Sequence, residues 1–105
     1  MDLIKIYDKT CDVCALLAGI DEEIADEYGM FFRQFTIEEL AASKGNIRDY
    51  VVSVYVTPND GMINVPIYLI ETTQGKIQAS GEIKTAEELI NLIEAHKKWE
   101  LSKSA

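Results

Sequence analysis

The sequence predicts an α/β fold: a four-stranded mixed sheet with helices on both faces, in the order βαβαββα. Two observations carry this. Short apolar, β-prone runs alternate with stretches whose apolar residues recur every three or four positions, the spacing of one helix face. Helical segments between the early strands suit the crossovers that parallel pairing needs, whereas the last two strands are joined by a tight turn and so run antiparallel.

"LIKIY" (Leu3 to Tyr7) is short and apolar and reads as a buried strand. Asp8 to Thr10 make a turn. From Cys11 the spacing changes: Leu17, Ile20, Ile24 and Tyr28 form one helix face, and Asp21, Glu22, Glu23, Asp26 and Glu27 form its wet side. Gly29 stops that helix. "MFFRQF" (Met30 to Phe35) reads as a second strand, and Thr36 with Glu39 forms a capping box for a second helix that Gly45 and Asn46 interrupt.

"NIRDYVVSVYV" fits two templates. Ile47, Tyr50, Val51, Val54 and Tyr55 fit a helix, while Val52, Val54 and Val56 alternate as in a strand, with β-branched content to match. The helix is preferred because it suits the connection to the next strand. "TPNDG" (Thr57 to Gly61) is a turn cluster in which Pro58 serves as a turn residue. "VPIYLIE" (Val65 to Glu71) is a strand opened by a proline, and "KIQAS" returns after "TTQG" to complete a hairpin. Thr85 and Glu88 form another capping box. Ala86, Leu89, Ile90 and Ile93 give the last helix its apolar stripe, and the terminal "LSKSA" is expected to fray.

The 105 residues fit one domain, 1–105, with a single modest core. A net charge of -8 argues against nucleic acid or an anionic membrane as the main partner, since both repel it. No apolar run reaches the roughly 18 residues of a membrane span. "MDLIKIYD" lacks the apolar core and cleavage site of a signal peptide. The expected location is therefore cytoplasmic. In a reducing compartment a two-cysteine pair is more often catalytic or metal-binding than a structural staple.

Both cysteines lie in "TCDVC" (Thr10 to Cys14), at the step from a strand into a helix. A helix N-terminus offers unpaired N–H groups and a partial positive charge, both of which favour a thiolate. The thiolate is the attacking species in disulfide exchange, so Cys11 is the expected nucleophile. Cys14, about one turn further in, is the expected resolving thiol. Asp12 opposes the dipole by disfavouring a neighbouring negative charge, but adjacent side chains on a helix point apart and exposed charge is screened. The dipole is expected to win weakly, giving a reductant rather than a strong oxidant.

One CxxC is half of a usual four-ligand zinc site, and the lone histidine, His96, falls near the end of the last helix, where it is expected to face solvent. A site within one chain and a cluster shared between two chains remain the alternatives to redox chemistry. No metal and no cofactor are the expectation.

On these residues the chain resembles the thioredoxins, within the thioredoxin and glutaredoxin superfamily. "IKIYDKTCDVC" matches in placement, "DEEIADEYG" is like the helix after the CxxC, "NVPIYLIETTQGKI" resembles the strand, turn and strand with the family's cis proline, and "TAEELINLIEAH" closes the fold. The match covers roughly residues 3 to 97, poorly over 40 to 62. It implies a thioredoxin-like fold lacking the usual N-terminal strand and helix, as in compact phage-type members. It implies that Pro66 is cis beside the CxxC, that Val65 offers its backbone to substrate, and that Gly81 flanks the substrate groove.

The departures fall at the site. Thr10 stands where the family has tryptophan, and Asp12 and Val13 replace its Gly-Pro, removing part of an apolar docking surface. Six residues before the first cysteine the family keeps a buried acid, and here that position is Lys5. A buried lysine there would act as a base when neutral or stabilise a thiolate when charged; a strand lysine snorkelling to solvent is the other reading.

The resemblance implies a monomeric thioredoxin-type oxidoreductase that reduces client protein disulfides through Cys11 and Cys14. A thioredoxin reductase would recharge it, and ribonucleotide reductase is among the implied clients. Two rivals stand beside this reading. One is a glutaredoxin, which "NVP" supports but "ASGEIKT", with a single glycine, does not. The other is a thioredoxin-fold subunit that uses its groove to hold a partner.

Overall fold

The run from Leu3 to Ile6, lysine included, is almost wholly buried, which requires a strand covered on both faces and both edges. The computed structural model describes residues 1–56 and 61–104, and in it this strand, β1 (Asp2–Tyr7), lies inside the sheet. The remaining elements are α1 (Asp12–Leu17), α2 (Ile20–Glu27), β2 (Phe31–Thr36), α3 (Ile37–Ala42), α4 (Asn46–Tyr55), β3 (Ile67–Glu71), β4 (Ile77–Glu82) and α5 (Ala86–Ser104). The sheet order is β2-β1-β3-β4, with β1 and β2 parallel and the other two pairings antiparallel. The expected mixed sheet is thus present.

The pleat sorts the core into two layers. Leu3, Tyr68 and Ile70 pack with Leu17, Ile24 and Leu89 from α1, α2 and α5. Ile4, Ile6, Ile67 and Leu69 pack on the other face with Leu40 of α3 and Val51 of α4. Helices therefore cover both faces, as the sequence predicts. Each fully buried aliphatic side chain contributes about 1.5–3 kcal/mol, so these central strands anchor the fold. At the end of the sheet away from the CxxC, Arg33 of edge strand β2 reaches Asp2 of β1 at 3.1 Å and Glu71 of β3 at 3.3 Å.

Local signals hold in most places. Thr36 caps α3 with the full reciprocal box: its hydroxyl accepts from the Glu39 N–H at 3.1 Å, and the Glu39 carboxylate accepts from the Thr36 N–H at 3.0 Å. The ambiguous 47–56 segment is helical. Burial of Val51 against the sheet outweighs the β-branched propensity, and Val52 and Val54 are left exposed. Thr85 accepts from the Glu88 N–H, but the Glu88 carboxylate takes the N–H of Lys84 rather than that of Thr85, so this box is half made. α5 runs as far as Ser104, through most of the terminal "LSKSA", with no glycine or proline to stop it. Pro58 lies outside the described residues. Among the described residues no helix is long and apolar enough to cross a membrane.

The helix expected from Cys11 to Tyr28 is two helices. The break falls at Ala18 and Gly19, where Gly19 has φ 85° and ψ -41°, a region closed to most side-chain-bearing residues. Asp21 stands four residues after Leu17 and three before Ile24, on the same face as both. Ile20, expected in the core, is 43% exposed, while Asp21, expected on the wet side, is 1% exposed.

A Gly19→Ala substitution isolates this break. A Cβ at Gly19 would meet nothing within 4 Å, so the only cost is backbone strain. We expect a loss of about 1–2 kcal/mol, seen as a lower urea midpoint with an unchanged slope.

Candidate active site

β1 ends at Tyr7, and Asp8 turns the chain. Its Oδ1 accepts from the Thr10 N–H and from the Thr10 hydroxyl, both at 2.9 Å, and these bonds hold the Asp8 carboxyl below its ordinary range. The Asp8 carbonyl accepts from the Cys11 N–H at 3.0 Å. The turn therefore delivers Cys11 to the N-cap of α1.

At that cap the sulfur does what a serine or aspartate oxygen does elsewhere. Cys11 Sγ accepts from the Cys14 N–H at 3.1 Å. An anionic sulfur accepts such a bond more strongly than a neutral one. The same sulfur lies 3.7 Å from the Val65 carbonyl oxygen. The Val65–Pro66 bond is cis and Pro66 is buried, so the segment before β3 forms a wall beside Cys11. The Pro66 carbonyl accepts from the Ile83 N–H at 3.1 Å, tying that wall to the chain just beyond β4.

The two thiols differ. Cys11 is partly open, whereas Cys14 is 3% exposed. Burial first, and hydrogen bonding with Cys11 second, push the Cys14 thiol up to about 11. The Asp8 backbone and the charge of Lys5 pull weakly the other way. One sulfur is thus partly exposed at a helix end, and the other is buried one turn behind it.

The other expected residues are placed unevenly. Thr10 is exposed, its hydroxyl engaged by Asp8, and Asp12 is exposed in the first turn of α1. Val13 is half-buried against the core. Gly81 pairs with Tyr68, one strand over from the Pro66 segment, and a Cβ there would meet only Ile83 Cδ1 at 3.6 Å.

Lys5 does not snorkel. It is 2% exposed, and its Nζ donates to the Cys14 carbonyl at 3.1 Å and pairs with Asp21 Oδ2 at 2.7 Å. The Tyr7 ring centroid lies 5.6 Å away. Asp21 also accepts from the Tyr68 hydroxyl at 2.8 Å, and its other oxygen accepts from the Glu22 N–H at 2.8 Å. Burial and the bond to Asp21 raise the Tyr68 hydroxyl far above its ordinary range, which keeps it a donor.

Asp21 and Tyr68 are not evident as site residues in the sequence. A lysine inside an apolar strand calls for a buried counter-ion, and the spacing of Asp21, four residues after Leu17 and three before Ile24, places it on the inner helix face. His96 is also corrected: it is buried, with Nε2 3.3 Å from Met1 Sδ, because α5 packs its inner face over the start of the chain. Among the described residues no group of three or more His, Cys, Asp and Glu side chains is placed to hold a metal ion.

No protein-family model matches the chain, and no curated protein sequence matches it. Among solved structures it is similar to a thio-disulfide isomerase from Thermus thermophilus. The TM-score is 0.52 at 16% identity, over 90% of this chain and 78% of that one. With the sheet order and the paired helical layers, this likeness makes the fold thioredoxin-like.

The asymmetry of the thiols is directly measurable. With iodoacetamide at pH 8, Cys11 is expected to be alkylated and Cys14 spared. A thiol titrating near 11 is only roughly one part in a thousand thiolate there. Peptide mass spectrometry across a pH series checks this, and Cys14 labelling should climb about tenfold per pH unit.

Proposed function

We propose that this chain is a cytoplasmic thiol–disulfide oxidoreductase of thioredoxin type that reduces disulfides in client proteins. The observation that carries the reading is the N-cap sulfur. Cys11 Sγ stands at a helix end, partly exposed, accepts the Cys14 N–H and lies within hydrogen-bond reach of the Val65 carbonyl at 3.7 Å. The fold shared with a thio-disulfide isomerase supports thiol–disulfide chemistry without specifying the direction of exchange.

In the first step the Cys11 thiolate attacks one sulfur of a client disulfide. The client S–S bond breaks, a Cys11–client disulfide forms, and the other client sulfur leaves as a thiolate that takes a proton from water. Cys14 then loses its proton and attacks Cys11. The mixed disulfide breaks, the Cys11–Cys14 disulfide forms, and the client leaves fully reduced. Two electrons pass from the dithiol to the client, and a reductase must return them. A thioredoxin reductase is the donor this reading implies, with ribonucleotide reductase one candidate client. Val65 and Pro66 would line the client strand's path, with Gly81 leaving room beside it. Thr10, Asp12 and Val13 make the rim small and acidic where the related proteins are apolar, and so would shape client choice.

Reduction of a protein disulfide is measured with two recycling systems side by side. One supplies NADPH and thioredoxin reductase; the other supplies NADPH, glutathione and glutathione reductase. Turnover with the first alone is expected. Turnover with glutathione alone would make the chain a glutaredoxin, and silence in both would favour a partner-holding subunit. Cys11→Ser should fall to the rate without protein, whereas Cys14→Ser should accumulate the mixed disulfide, visible as a shifted band on a non-reducing gel.

A further inference from the structure

Away from the cysteines the structure gathers positive charge. The chain carries 18 acidic and 10 basic residues, so its surface as a whole is acidic. One cavity, of about 390 Å³, is the reverse. It is walled by β2, the connection from α3 to α4 and the β3–β4 hairpin. Arg33, Lys44 and Arg48 line it, and Glu71 is the only acid among the described residues that do. Three cations against one carboxylate leave the wall net positive in a protein of net charge -8. The cavity lies at the end of the sheet away from Cys11, and neither the CxxC nor the Val65–Pro66 segment lines it.

The cations keep hydrogen-bonding capacity for a ligand. Both contacts of Arg33, to Asp2 and to Glu71, leave from Nη1, so the N–H groups on Nε and Nη2 are uncommitted among the described residues. Arg48 Nη2 stands 3.6 Å from Asp49 Oδ1, beyond hydrogen-bonding distance. Lys44 has no acidic partner among the described residues. The frame behind them is fixed. Ser43 Oγ donates to the Leu40 carbonyl at 2.7 Å, and Asn46 Nδ2 donates to the Gly75 carbonyl at 3.2 Å. Lys44 and Gly45 are thus held between two pinned residues, one tied to α3 and the other to the hairpin. Phe35 and Ile47 supply an apolar side, with Arg33 Cζ 5.5 Å from the Phe35 ring centroid.

We propose that this cavity binds a small organic phosphate, a phosphomonoester whose head group meets Lys44, Arg48 and the free side of Arg33 while its ring or short apolar body lies against Phe35 and Ile47. The proposal does not rest on the thiol chemistry. Charge selects the head group. A phosphomonoester carries about -1.5 to -2 at pH 7, which suits a wall with three cations and one carboxylate. Its three free oxygens can accept from donors that arrive from β2, the α3–α4 connection and α4. A carboxylate has less charge and two oxygens in one plane. Size selects the body. Small-molecule pockets run from roughly 300 to 1,000 Å³, and a cavity of about 390 Å³ is at the small end, fit for a single small metabolite.

Phenyl phosphate is the probe, titrated into isotope-labelled protein and followed by amide NMR at about pH 7.5, where its dianion prevails. The amides of Arg33, Lys44 to Arg48 and Gly75 are expected to move and to saturate, while those of Thr10 to Cys14 stay still. Inorganic phosphate lacks the ring and benzoate lacks the second charge. Each is expected to bind about tenfold more weakly than phenyl phosphate.

Lys44→Gln and Arg48→Gln change side chains outside the core, and each should weaken phenyl phosphate about three- to fivefold. Lys84→Gln removes the same charge at the other end of the sheet and should leave the affinity unchanged within about twofold. Shifts that fail to saturate or that centre on other residues would overturn the proposal. So would benzoate or inorganic phosphate binding as tightly as phenyl phosphate, or Lys84→Gln weakening it as much as the cavity variants. Because the readout involves no sulfur, a failure of the thiol–disulfide reading leaves this result standing, and the reverse holds too.

Discussion

The contact between Lys5 and Asp21 organises this molecule. Lys5 stands in the middle of β1, with β2 on one side, β3 on the other and helical layers above and below. Its ammonium has no route to water, and an unpaired charge there would cost several kcal/mol. A carboxylate must therefore be brought through the core to meet it. Asp21 does so from the first turn of α2, which starts afresh after Gly19. That restart shortens α1 to six residues, and the shortening leaves the Cys14 carbonyl for Lys5. The ion pair, the helix break and the placing of the cysteines are one arrangement seen from three sides.

The site's two sulfurs owe their difference to depth and to backbone geometry. Cys11 takes the place of a capping oxygen, so its position is fixed by the hydrogen bond it accepts. Cys14 is buried, and that burial holds its proton. Around them Thr10 and Asp12 are exposed, Val65 is half-buried and Pro66 is buried.

The fold was legible because its strands are short apolar runs with turn residues between them, and because Thr36 and Glu39 announce a helix start in their own side chains. The CxxC was legible because two thiols at a strand-to-helix step have few other uses. What the sequence hid was the buried carboxylate. Asp21 lies four residues after Leu17 and three before Ile24, on the apolar face, and its charge alone assigned it to the wet side. Tyr68 was hidden for a related reason, since its hydroxyl has a meaning only once Asp21 is known to be inside. The 47–56 segment was ambiguous because β-branched residues fit either geometry until a neighbour is chosen, and here the neighbour is the Ile4 and Ile67 face of the sheet. His96 looked exposed because nothing local says that α5 crosses the start of the chain.

The span of Arg33 across β1 to both Asp2 and Glu71 has a consequence for how the molecule behaves in a crowd. β2 is an edge strand and carries Phe31, Phe32 and Phe35, with Phe31 75% exposed. An open edge of that composition is a ready template for a strand from another copy. An arginine held in the middle of it sets a fixed cation along the row where a matching chain would have to lie. Stacking identical copies in register would bring like charges together, so the residue that laces three strands within one molecule also discourages the sheet from growing into the next.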